Sequence, residues 1–145
     1  MQLFLVMAVA AQLVPGLPQQ DPYSPTVNIK PDLTLKVTPK SDRFKPFDFT
    51  LSGLLQTNGV DPAVGCQGRI MVRIRKSNPT VAKGRTELQP DCTWTTVLTL
   101  NTRRLSEKAQ VGGTVRVTAR FGGNEFLQPD AAPQRKAEYG RSAAE

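Results

Sequence analysis

Histidine is absent from this chain of 145 residues, and cysteine occurs only twice. Without an imidazole, Ser-His-Asp and Cys-His catalytic arrangements and His-ligated metal sites are excluded. No apolar stretch reaches the roughly 20 residues that a bilayer-crossing helix needs. The 3.6-residue apolar period of a long helix is also missing, and "NTRRLSEKAQ" at 101–110 holds at most one helical turn. Basic residues never run beyond two in a row, as in "RR" at 103–104 and "RK" at 75–76 and 135–136. The concentrated basic tract of a nucleic-acid-binding or membrane-binding sequence is therefore lacking, and no specific nucleic-acid recognition is expected.

What is present is turn chemistry and alternation. The 12 prolines and 11 glycines supply many turns, which favours short strands over helices. "DLTLKVTP" puts Leu33, Leu35 and Val37 on one face, and Pro39 ends the ladder because proline has no N–H to donate. "FDFTLSG" turns Phe47, Phe49 and Leu51 inward; "GRIMVRIRKS" turns Ile70, Val72 and Ile74 inward and Arg69, Met71, Arg73 and Arg75 outward. "TVAKGRTEL" reads as a short edge strand guarded by Lys83 and Arg85. "DCTWTTVLTLN" places Trp94, Leu98 and Leu100 on the side of Cys92, and "GTVRVTARFGGN" places Val115, Val117, Ala119 and Phe121 inward against Arg116, Thr118 and Arg120 outward. A last strand near Lys136 to Tyr139 completes about seven. Strands of this kind hide their apolar faces by laying two sheets together, so the expected fold is all-β, an immunoglobulin-like antiparallel β-sandwich.

If the third and sixth strands pair, as that topology requires, Arg69, Arg73, Arg75, Arg116 and Arg120 gather on one exposed sheet face. The plain alternative is a solvated face partly neutralised by nearby acids. The net charge of +7 draws polyanions to the chain by long-range attraction.

Two cysteines without histidine, in a chain with an export-like start, point to a disulfide rather than a metal site or a nucleophile. Cys66 and Cys92 precede or open two strands, whose ends can meet at a sandwich rim. Glycosidase chemistry needs two carboxylates across a cleft. Asp48 points outward from a strand, and Asp61, Glu87, Asp91 and Glu107 fall at turns, so no pair stands out. Calcium at the rim through Asp61, Asp91 or Asp130 is a minor alternative, because these acids lack the alternating spacing of a calcium loop. No cofactor and no enzymatic activity are expected.

Residues 1–20 carry an apolar run, Leu3 to Ala11, followed by small and turn-forming residues, like the core and cleavage zone of a signal peptide. No Lys or Arg precedes the run. Competing roles for it are a strand that packs on a neighbour or an interfacial anchor. Residues 21–31 read as a proline-rich linker, residues 32–140 as the sandwich and residues 141–145 as a disordered tail.

Taken in order, "PFDFTLSGLL", "CQGRIMVRIRK", "DCTWTTVLTL" and "GGTVRVTARFGGNEFLQP" resemble the single-disulfide immunoglobulin-like domains of secreted and surface proteins of actinobacteria and their relatives. The resemblance covers residues 31–140. It implies a Cys66–Cys92 disulfide, a secreted or cell-surface location, and a structural role for Phe121, Gly123 and Asn124 where a strand ends in a turn. In that turn the Asn124 side-chain carbonyl would act as a cap, and Gly122 and Gly123 would permit positive φ.

These readings converge on a non-catalytic extracellular module, serving as a structural, adhesion or binding domain toward a protein or a cell-surface glycan. A second possibility is binding of an anionic polymer (acidic glycan, polyphosphate or DNA) through the arginine face. A third is self-association by β-strand addition through the apolar N-terminus.

Overall fold

The computed structural model describes residues 28–103 and 105–140; the leader at 1–20, the first part of the linker and the tail at 141–145 lie outside the described residues. Two sheets form. The first contains β1 (Asp32–Leu33), β2 (Lys36–Thr38), β4 (Asp48–Gln56) and β7 (Thr93–Thr99), with β4 between β7 on one side and β1 and β2 on the other. The second contains β3 (Ser41–Asp42), β5 (Arg69–Arg75), β6 (Thr80–Glu87), β8 (Gly112–Phe121), β9 (Asp130–Ala131) and β10 (Arg135–Gly140). Its order is β3-β10-β8-β5-β6, and β9 continues the line of β10 along the other end of β8. Two short helices, α1 (Pro62–Gly65) and α2 (Glu107–Val111), fill connections. The fold is an all-β sandwich.

Period 2 in the sequence becomes one dry and one wet face per sheet. Phe47, Phe49, Leu51, Ile70, Val72, Ile74, Trp94, Leu98, Leu100, Val115, Val117 and Phe121 are all buried between the sheets. At about 25 cal/mol per Å2 of apolar surface removed from water, this layer supplies most of the drive to fold. Trp94 is its largest side chain and faces Gly53 across the β4–β7 ladder. A Cβ at Gly53 would come within 2.0 Å of the Thr34 carbonyl oxygen and 2.7 Å of the indole nitrogen, so only glycine admits the ring. The indole N–H is buried without an acceptor. The ring area therefore has to outweigh an unmade hydrogen bond.

Several features depart from the pattern in the sequence. The first strand is split, because Leu35 leaves the ladder. The Thr34 hydroxyl accepts from the Leu54 N–H at 2.9 Å, and the Leu35 carbonyl accepts from Arg135 Nε at 3.1 Å. The chain then crosses between sheets, and β3 pairs with β10 in parallel, so the second sheet is mixed rather than wholly antiparallel. β6 is a full eight-residue strand rather than a short one, since it pairs along all of β5. The folded body also starts before Asp32: Ile29 bridges Leu127, with Ile29 N donating to Phe126 O at 3.1 Å, and Pro31 is fully buried.

Leu127 and Leu88 join the core from connecting segments, and Val81 and Tyr139 from β6 and β10. Tyr139 packs edge-on to Phe47 with ring centroids 5.3 Å apart, and its hydroxyl donates to the Ala109 carbonyl. Burial pushes the Tyr139 phenol above its ordinary value. A raised folded-state value means stability that is complete below about pH 10 and lost as the unfolded chain ionises first. Unfolding free energy should therefore fall as pH rises above about 10, more steeply in the native chain than in Tyr139→Phe, and equal slopes in urea titrations would refute this.

Candidate functional site

Two places bring chemistry-bearing residues together, and the first is structural. Cys66 at the end of α1 and Cys92 just before β7 are bonded, with Cα atoms 4.8 Å apart and a sequence separation of 26. Cys92 is not on a strand. It closes a turn, its N–H donating to Gln89 O at 2.8 Å, and has a φ of 66°. The Asp91 carboxylate orders that turn by accepting from Thr93 N at 3.0 Å and from the Thr93 hydroxyl at 2.6 Å, and these bonds hold the Asp91 carboxyl below its usual range.

Next to the disulfide lies Asn124. Its Oδ1 accepts from Phe126 N at 2.8 Å and Leu127 N at 2.9 Å, while its Nδ2 donates to Gly65 O at 2.9 Å and Gln67 O at 2.8 Å. One amide thus caps the turn after β8 and ties it to the segment around Cys66. Gly123 uses a φ of +87° there, but Gly122 does not adopt a positive φ, so only one of the two expected positions needs glycine's freedom. Gly68 has a φ of +127° and faces the Phe121 ring, which a Cβ would approach within 2.8 Å.

The second place is the outer face of the second sheet. β5 pairs with β8 on one side and β6 on the other, and the register fixes which side chains meet. Across β8, β5 and β6 the outward rows read Arg120–Met71–Arg85, then Thr118–Arg73–Lys83, then Arg116–Arg75–Thr80. Lys136 of β10 stands opposite Arg116 on its other side. Arg73/Lys83, Arg75/Arg116 and Arg116/Lys136 are thus like charges placed directly across from one another, an arrangement that destabilises a sheet. Arg69 differs, since its Nε lies 3.3 Å from Glu87 Oε1. Among the described residues no carboxylate comes within ion-pairing distance of Arg73, Arg75, Lys83, Arg85, Arg116 or Arg120.

All five arginines named from the sequence lie on this face. Met71 and Thr118 share it by alternation along β5 and β8, and Lys83, Arg85 and Lys136 join through strand pairing. The signal that adds Lys83 and Arg85 is the short "KSNP" connection at 76–79, which makes "RIMVRIR" and "TVAKGRTE" a hairpin with matching alternation. The long side chains leave a depression of about 600 Å3 over the centre of the face.

A further depression of similar size lies at one rim, lined by Arg43, Lys76, Lys108 and the glycine backbone at 112–113. Phe44 is 74% exposed beside it on the loop before β4. The Asp42 carboxylate orders that loop, accepting from Phe44 N at 3.4 Å and from Asp48 N at 3.0 Å. Several of the carboxylates have partners in the fold. Asp61 caps α1 through Ala63 N, Asp48 is bonded to the Thr99 hydroxyl, and Asp130 accepts from Leu33 N and pairs with Lys30. Among the described residues no group of three or more acids or cysteines is placed to hold a metal ion, and no helix is long and apolar enough to cross a membrane. The chain matches no known family model and no curated protein sequence.

Asn124→Ala removes four hydrogen bonds at once and should cost about 2 to 4 kcal/mol in urea denaturation. A cost below about 0.5 kcal/mol would mean that the turn holds without its cap. Cys66→Ser should cost about 3.5 kcal/mol by the chain-entropy argument for a loop of this length, and an unchanged urea midpoint would contradict it.

Proposed function

We propose that this chain is a non-catalytic module acting outside the cytoplasm, a sandwich stapled by one disulfide that binds anionic polymers through the outer face of β5, β6 and β8. The observation that carries the reading is the set of like charges placed opposite one another across the strands, with no carboxylate of the described residues within ion-pairing distance of them. A face that served only solubility would gain by interspersing acids, as it does at Arg69 and Glu87. Cations held against each other on a rigid sheet cost stability in the free protein, and a bound polyanion recovers that cost by neutralising several at once. The extracellular placement is supported by the disulfide, which persists in oxidising compartments. It is supported also by the signal-like start and by the resemblance to the disulfide-bearing immunoglobulin-like domains of secreted and surface proteins.

Arginine predominates on the face, and its planar fork takes carboxylate, sulfate or phosphate oxygens two at a time.

The test joins stability to binding. Arg116→Gln removes the cation that faces both Arg75 and Lys136, so it should stabilise the fold by about 0.2 to 1 kcal/mol. The same change should weaken binding to dextran sulfate and flatten the slope of log K against log salt by about 1 from a starting value steeper than about −3. If the variant binds as the native chain does, with the same salt slope, the face is not the binding surface.

A further inference from the structure

The depression over the centre of the basic face has an apolar floor. Met71 is 52% exposed and stands between Arg120 on one neighbouring strand and Arg85 on the other, while Thr118 lies diagonally beside it. Arg73 and Lys83 form the next row along the strands. Strands lie about 4.8 Å apart, so the backbones that carry Arg120 and Arg85 are separated by about 10 Å, with the thioether in the gap.

Building on the anion-binding reading, the geometry points to an acidic polysaccharide as the ligand class, with one uronic acid ring seated over Met71 and its carboxylate held by the flanking guanidinium groups. A chain of phosphates would gain from the cations but nothing from an apolar floor, since it has no C–H surface to lay there. A pyranose ring carrying a carboxylate presents both parts: a face of C–H groups for the polarizable thioether and an edge anion for bidentate arginine. Ring hydroxyls donate to the Thr118 hydroxyl oxygen, whose own proton is directed to the Arg73 carbonyl at 3.5 Å. Single-stranded nucleic acid also combines charge with flat surface, but it is held by bases stacking on aromatic side chains. The outward positions of β5, β6, β8 and β10 carry no Phe, Tyr or Trp.

The experiment is calorimetric titration of the full chain with oligogalacturonate, with polyphosphate of matched charge and with oligothymidylate, at one fixed salt concentration. Oligogalacturonate should bind tightest. Met71→Ser should weaken it about tenfold, as expected for loss of a largely covered apolar side chain, and leave polyphosphate unchanged, while Met71→Leu restores it. Arg120→Gln should weaken all three. Met71 points away from the core, so thermal melts of both variants should match the native chain and confirm that the sheet is intact. Equal binding of oligogalacturonate and polyphosphate with no effect of Met71→Ser, or tighter binding of either competitor, would overturn the uronate assignment and leave the anion-binding face standing. If none of the three binds, both fall.

Discussion

A covalent bond between the two sheets organises one end of this molecule. Cys66 leads into β5 of the second sheet and Cys92 into β7 of the first, so their disulfide fixes the separation and relative height of strands that share no ladder. Asn124 adds a non-covalent tie at the same place, joining the turn after β8 to the carbonyls at Gly65 and Gln67. Together they hold the ends of β5 and β8 against each other before a single outward side chain is considered. The rows on the basic face depend on that register. A slip of one residue would send the arginines into the core and the isoleucines into water.

The face shows how a sheet can be stable as a fold and unfavourable as a surface. Its inner side is dense with Ile70, Val72, Ile74, Val115 and Val117, and that burial is worth far more than the few tenths of a kcal/mol lost at each like-charge contact. A well-filled core therefore permits cations to be crowded outside without unfolding the protein. Met71, 52% exposed, stands among those cations on the same outer side. The rim depression differs, because Glu138 lines it beside Arg43, Lys76 and Lys108.

Strong period-2 segments were legible without a structure because alternation leaves only one face that can be dry. Every core residue read from β4, β5, β7 and β8 is buried for that reason. Leu127 was not legible, because it sits in a connecting segment whose burial comes from Ile29 crossing it. The split at Leu35 was equally hidden, because the hydroxyl that replaces a ladder bond there belongs to a threonine that alternation assigns simply to the outside.

The sequence by itself determined the long alternating strands, their inward side chains, the absence of imidazole chemistry and the alternation of arginine with apolar residues, since these follow from local geometry and composition. Tertiary structure decided which cations face each other, that Met71 falls between Arg120 and Arg85, that Arg69 is neutralised by Glu87, and that β3 runs parallel to β10. Those are matters of register and strand order, set by long-range packing and by the Cys66–Cys92 tie, and a period of two carries no information about which residue stands opposite which.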